Sequence, residues 1–323
     1  MKKVIIPLLL LTFMWQSCND DNIRLLPESN GRTHNILVIM DNDDWKKTLG
    51  DSIRKYFAAE FTDLPQSESV FTLQQAAPEL YNGIFKTIRN VIIVKVGDQS
   101  GVRTYIDRYA SPQLITVFEG RNKEELKKLI SQNASKIVDK YNSSEIVNQQ
   151  RLHRKSLRNN EDVEKEFGVN VEIPDFFNLV DHQNGFMWFR RDLKTGEEDI
   201  LLYEVKLKDS LSFNPDEVTC YRDSIGMKFI PGPTEDTYMN SYTELSPSQK
   251  MMLLDGHKTI ESRGLWNIKN DFMGGPYINY NILDKKHNRI LVAEGFVYAP
   301  AKEKRDYIVQ LESILKTIEF IDK

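Results

Sequence analysis

The feature that most constrains this chain is a change of hydrophobic period near residue 158. Before it, short apolar runs alternate with helical stripes. "NILVIM" (35–40), "NVIIVKVG" (90–97) and "PQLITVFEG" (112–120) read as buried strands. The first leads through "DNDD" (41–44) into a stripe of Trp45, Leu49, Ile53, Tyr56 and Phe57, spaced as one helix face. The last leads into a helix capped by Asn122, with Glu124 and Glu125 in its first turn and Leu126, Leu129, Ile130, Ile137, Val138 and Tyr141 on one side. The predicted order is β, α, β, α, β, α, with an extra strand at "SVFTLQ" (69–74).

After the polar stretch "HRKSLRNNED" (153–162) the strands lengthen and tight turns join them. Asn184-Gly185 sits between two apolar runs as a hairpin signal, and a polar turn at Asp284–Asn288 divides "PYINYNIL" from "RILVAEGFVYAP". A helix from about Lys302 to Thr317 and a short strand "IEFI" close the chain. The expected fold class is therefore α+β: an N-terminal α/β layer domain over 34–158, then an antiparallel sheet domain backed by helices over 159–323.

The amino terminus raises a question of location. Lys2 and Lys3 precede an apolar run from Val4 to Trp15, too short to span a bilayer, and the run ends on Ser17-Cys18. This resembles a lipoprotein signal peptide (1–17) cleaved after Ser17, with lipid on Cys18 and a polar tether over 18–33; Trp15 departs from the aliphatic residue usual at that position. "CNDDN", with Asp20 and Asp21, resembles the acidic export tags of surface lipoproteins in Bacteroidota. These resemblances imply an outer-membrane, lipid-anchored protein, surface-exposed or facing the periplasm, whose membrane contact is its N-terminal lipid. With Cys18 lipidated, Cys220 has no partner for a disulfide and reads as a helix-core thiol.

The formal charge is −4. It becomes about −6 once Lys2 and Lys3 leave with the signal, and the one basic run, 151–158, sits where cations complement a helix end, so nucleic acid is not an expected partner.

Motifs for chemistry are sparse. Asp41 and Asp43, following an apolar strand, resemble the first motif of haloacid-dehalogenase-type phosphatases, which implies a metal-dependent phosphate-ester hydrolase as the alternative function. Trp45 stands where that family carries Thr or Val, and a late acidic pair for magnesium is missing; helix capping explains the same acids. The loop lacks the glycine and glutamate of an EF-hand, having Lys46 and Ser52 there. His34, His153, His182, His257 and His287 have no i, i+4 partners and read as surface histidines; neither metal nor cofactor is expected. Trp266, Phe272, Tyr277 and Tyr280 lie near the turn-like Gly274-Gly275-Pro276 and read as core, or as a platform for a glycan or peptide if one set faces outward. Three Asp-Ser-aliphatic triplets resemble an O-glycosylation signal, with Ser210 preferred over Ser224 and Ser52.

Finally, "WNIKNDFMGGPYINY" (266–280) and "AEGFVYAP" followed by "KRDYIVQLESILKTIEF" resemble an uncharacterised lipoprotein family of the Bacteroidota, a domain of unknown function. The resemblance implies an envelope location and carries no catalytic residue. The expected role is a non-catalytic binding or structural module with an envelope protein or glycan as partner; an envelope assembly factor is a further alternative.

Overall fold

The computed structural model describes residues 25–207 and 213–321. Cys18, Ser17 and Ser210 lie outside the described residues. Chain order gives β1 (Asn35–Ile39), α1 (Asn42–Trp45), α2 (Thr48–Phe57), β2 (Thr72–Ala76), β3 (Asn90–Val96), β4 (Gly101–Ile106), β5 (Leu114–Gly120) and α3 (Lys123–His153). The first sheet runs β2-β1-β3-β5-β4, parallel except for β4 on its edge. Helices α2 and α3 cover one face, closing a core of Ile36, Val38, Ile53, Phe57, Ile92, Phe118, Leu126 and Ile130. The other face is covered by residues 77–89, two short 3-10 turns, together with Tyr105 and Tyr109.

The second half holds α4 (Glu161–Phe167), β6 (Val169–Asn170), β7 (Asn178–Gln183), β8 (Phe186–Leu193), β9 (Gly196–Lys206), α5 (Pro215–Phe229), β10 (Met239–Ser241), β11 (Ser248–Leu254), β12 (His257–Ile268), β13 (Gly274–Asp284), β14 (Arg289–Tyr298), α6 (Arg305–Leu315) and β15 (Glu319–Phe320). Its antiparallel sheet runs β10-β12-β13-β14-β9-β8-β7, with β11 also on β12. Alternation along the strands sends Ile278, Tyr280, Leu291 and Ala293 to the face under α6, and Tyr277, Val292, Phe296 and Tyr203 to the face under α5. The fold is α+β.

Three expectations about elements are corrected. The helix expected between the strands at 90–97 and 112–120 is instead β4, whose Thr104 side chain meets Thr116 across the pair at 3.1 Å. The single helix after β1 is two: Lys47 is extended between them, and Gly50, where a Cβ would stand 1.9 Å from the Trp45 carbonyl oxygen, lets α2 pack on the end of α1. Residues 27–33, expected as free tether, are fastened to the domain: Ser111 donates to the Pro27 carbonyl at 3.0 Å, and Arg89 donates to the carbonyls of Gly31 and Arg32. The Asn184-Gly185 hairpin, the Asp284–Asn288 turn and the Asn122 cap form as expected; Asn122 Oδ1 accepts from the Glu125 amide at 2.9 Å.

The two halves are tied across their junction. Glu68, buried in the loop after α2, accepts the backbone amides of Lys304 and Arg305 at 2.6 and 3.0 Å, capping α6 from the other half of the chain. Gln150 of α3 donates to the Ser313 carbonyl at 3.0 Å, and Phe61 and Leu64 pack on the core of the second half.

Candidate functional site

The acidic turn after β1 is a cap. Asp41 Oδ1 accepts the amides of Asp43 at 2.8 Å and Asp44 at 3.4 Å, as an N-cap carboxylate does. Asp44 pairs with Lys123 from the start of α3, a lysine brought to this turn by the fold and not by sequence proximity. Asp43 and Asp41 are exposed, and no group of three or more His, Cys, Asp or Glu among the described residues is arranged to hold a metal.

A concavity lies between the halves. It has a volume of about 720 Å³ and is lined by three built surfaces. Asp139, Asn142, Ser143, Ile146, Val147 and Gln150 recur at spacings of three and four, so they form one stripe of α3. Val309, Glu312 and Lys316 come from α6 or its cap. Lys250, Met252 and Leu254 are alternate residues of β11, so they share one side of that strand. Phe61, Thr62 and Val70 complete the wall, with His34 at the base.

Charge in this cleft is mostly spent internally. Arg263 donates to Glu261 and Glu312 at 2.8 Å each, Lys250 meets Glu261 at 2.9 Å, and Lys316 meets Glu312 at 2.6 Å. Burial raises the Glu312 carboxyl, but Arg263 and Lys316 outweigh it and bring the pKa down to about 2. Glu60 and Asp139 at the mouth have no ion-pair partner among the described residues. His34 is buried with φ of +52°, its ring stacked on Phe71 at 5.1 Å and its Nδ1 without a hydrogen-bond partner. Burial lowers its pKa, so the ring is neutral near pH 7.

Beneath that base lies a fully enclosed ion pair. Arg89 donates to both oxygens of Glu145 at 2.8 and 3.2 Å, and Glu145 also accepts from Asn90 and from the His34 amide. A second lies under α5. Arg222 and Glu294 meet at 2.8 Å, Asn279 reaches Glu294, and the guanidinium stands 4.0 Å from the Tyr277 ring centroid.

Other candidates fall apart spatially. Trp266 and Tyr277 are buried under α5, Tyr280 is buried on the opposite face under α6, and only Phe272 of the four is exposed, so they make no shared platform. Gly274-Gly275-Pro276, expected as a turn, opens β13, where Gly275 lets the Val297 carbonyl approach. Cys220, expected as a core thiol, is exposed on α5. His34 and His153, expected at the surface, are buried; burial and the nearby Arg191 lower His153 to about 4. Ser224 is exposed on α5 and Ser52 half-buried on α2; each donates to the carbonyl four residues back at 2.8 Å. The basic run is internally neutralised: Arg151 and Lys155 pair with Glu28, Arg154 with Glu172 and Arg158 with Asp162.

A family model described as "Domain of unknown function (DUF4837)" matches residues 156–317, half of the chain. The chain belongs to that family. A second model, "Domain of unknown function (DUF8532)", matches residues 29–154, so the cleft lies between the DUF4837 part and the segment that precedes it. No curated protein matches the sequence. Among solved structures, the Saccharomyces cerevisiae Ran-binding protein Mog1p is similar at 10% identity and a TM-score of 0.32, over 48% of this chain and 91% of its own. Mycobacterium tuberculosis LpqN, described as involved in cell envelope biogenesis, is similar at 12% and 0.28, over 47% of this chain and 83% of its own. Neither likeness bears on what this chain binds.

Proposed function

We propose that this DUF4837 protein is a lipid-anchored envelope protein of the Bacteroidota type that binds a partner, without catalysis, in the cleft between its halves. The observation that carries the reading is the cleft's division of labour. Its cations are neutralised by built-in carboxylates, its walls offer apolar surface with amides and hydroxyls, and Glu60 and Asp139 are left at the mouth for an incoming charge. That favours a cationic, amphipathic segment of an envelope protein over a neutral glycan. The anchor is Cys18 after cleavage at Ser17, in an outer membrane.

Two substitutions test the parts separately. Cys18→Ala should release the protein from membranes after a carbonate wash; retention there would contradict the anchor. Ser143→Trp, on the exposed cleft wall of α3, should abolish function in a complementation assay while leaving the melting temperature unchanged. Full function with Ser143→Trp would contradict the cleft.

The second reading, a phosphate-ester hydrolase at Asp41 and Asp43, gains one observation: Lys123 lies beside the acidic turn. Tight magnesium binding lost in Asp41→Asn would favour it.

A further inference from the structure

The face of the first sheet opposite α2 and α3 has an unusual cover. Residues 77–89 present Leu80, Ile84 and Phe85 outward, 54%, 73% and 37% exposed. Beneath these tips lie Tyr81, Tyr105 and Tyr109, with Tyr81 and Tyr109 in edge contact at 6.5 Å. The Lys86 ammonium stands 5.3 Å from the Tyr109 ring, and the Arg108 guanidinium 4.6 Å from Tyr105 and 5.4 Å from Tyr109. Neither cation has an ion-pair partner among the described residues. The nearby carboxylate of Asp107 is occupied by Ser111 and the Gln113 amide. Apolar tips, a tyrosine layer and unpaired cations together are the composition of a surface that sits at a membrane interface.

The polypeptide enters the fold at the end of the sheet that borders this cover, where Asn30 donates to the Thr87 carbonyl at 3.0 Å. Ser111, in the loop after β4, accepts from the Ser29 amide at 3.1 Å and donates to the Pro27 carbonyl at 3.0 Å, and Leu25 just upstream is 91% exposed. From Cys18 to Pro27 the chain can reach at most about 32 Å, whereas a compact chain of this length is roughly 50 Å across. An anchor at Cys18 therefore holds this end of the sheet, with the adjoining cover, near the bilayer and keeps the far end from reaching it.

We propose that this face lies on the membrane, with Leu80, Ile84 and Phe85 entering the headgroup boundary and Lys86 and Arg108 meeting anionic headgroups. The inference rests on the anchoring of Cys18. It also gives the residues 77–89 a role as a contact surface in addition to covering the sheet.

The test uses the chain from Cys18 onward, which contains every described residue, carrying Cys220→Ser. The Cys18 thiol is coupled to maleimide-bearing lipid in phosphatidylethanolamine–phosphatidylglycerol vesicles, and amide hydrogen exchange is compared with the uncoupled chain. Coupling should slow exchange at 80–88 and 105–108 about tenfold, the value for a face docked nine-tenths of the time, while Gly97–Gly101 at the far end of the sheet is unchanged. Leu80→Asp with Ile84→Asp should remove the slowing, and phosphatidylcholine vesicles should weaken it. Equal exchange in coupled and uncoupled chains overturns the proposal. So does slowing that follows protein concentration without vesicles, which would make this face an interface between copies. Because the coupling is chemical, the result is independent of whether cells lipidate Cys18, which the fractionation of Cys18→Ala decides on its own.

Discussion

Removing the Glu68 carboxylate should uncouple α6 from the first half of the chain. Helix α6 has no side-chain cap of its own; its N-cap residue is Lys304, and the two amides at that end are satisfied by Glu68, which is 8% exposed. A hydrogen bond to a charged group contributes about 1.5–3 kcal/mol net, and a carboxylate at a partly buried helix N-terminus adds up to about 2 kcal/mol. The contributions overlap, so Glu68→Ala should cost about 3–5 kcal/mol, while Glu68→Gln, which keeps an acceptor, should cost about 1–2 kcal/mol. Urea unfolding of the chain without its signal measures both. Because Glu68 and α6 belong to different halves, the alanine variant should also split the transition, with the amides of α6 exchanging faster than those of β1 and β3. A loss under about 0.5 kcal/mol in Glu68→Ala, with one unchanged transition, would refute the claim that this cap joins the halves.

Burial raises Glu198 and Asp199 to about 7 despite Arg191 and Arg190, so the unfolded chain releases their protons first and stability should fall as pH rises from about 4 to 7; urea midpoints at pH 5 and 8 check this. Glu312 acts in the opposite sense, its contribution being complete above its unfolded value and lost as pH falls toward about 2. Arg222→Met alone should cost about 3–5 kcal/mol by leaving Glu294 buried and unpaired, whereas Arg222→Met with Glu294→Leu should recover most of it, as thermal unfolding would show. Peptide mapping of protein from its own host should place a glycan at Ser210 ahead of Ser224 and Ser52, and an unmodified intact mass would exclude all three.

The parts of the fold legible in the sequence are those fixed by local periodicity and turn chemistry. β1 and its following helical stripe, the Asn122 cap and the Asn184-Gly185 hairpin each need only a few neighbouring residues. Asp255-Gly256 carried the same signal and could have been read; it forms the tight turn between β11 and β12 with φ of +47° and +82°. β4 was hidden because Tyr105 and Ile106 imitate a short helical patch, and its identity comes from pairing with β5. The cleft was not legible at all. Its walls come from α3, β11 and α6, whose relative placement depends on Glu68, Gln150 and the packing of Phe61 and Leu64. His34 and Glu145 look like ordinary surface residues until Arg89, Asn90 and Phe71 are brought around them.

The most direct test of the binding reading is photo-crosslinking from within the cleft in the native host. A photoreactive amino acid at Ser143 and another at Met252 reach the same space from opposite walls, while one at Ser52 on α2 reports on a surface outside it. The account predicts one shared adduct from Ser143 and Met252 and none from Ser52. No adduct from either cleft position, or the same adduct from all three, would contradict it.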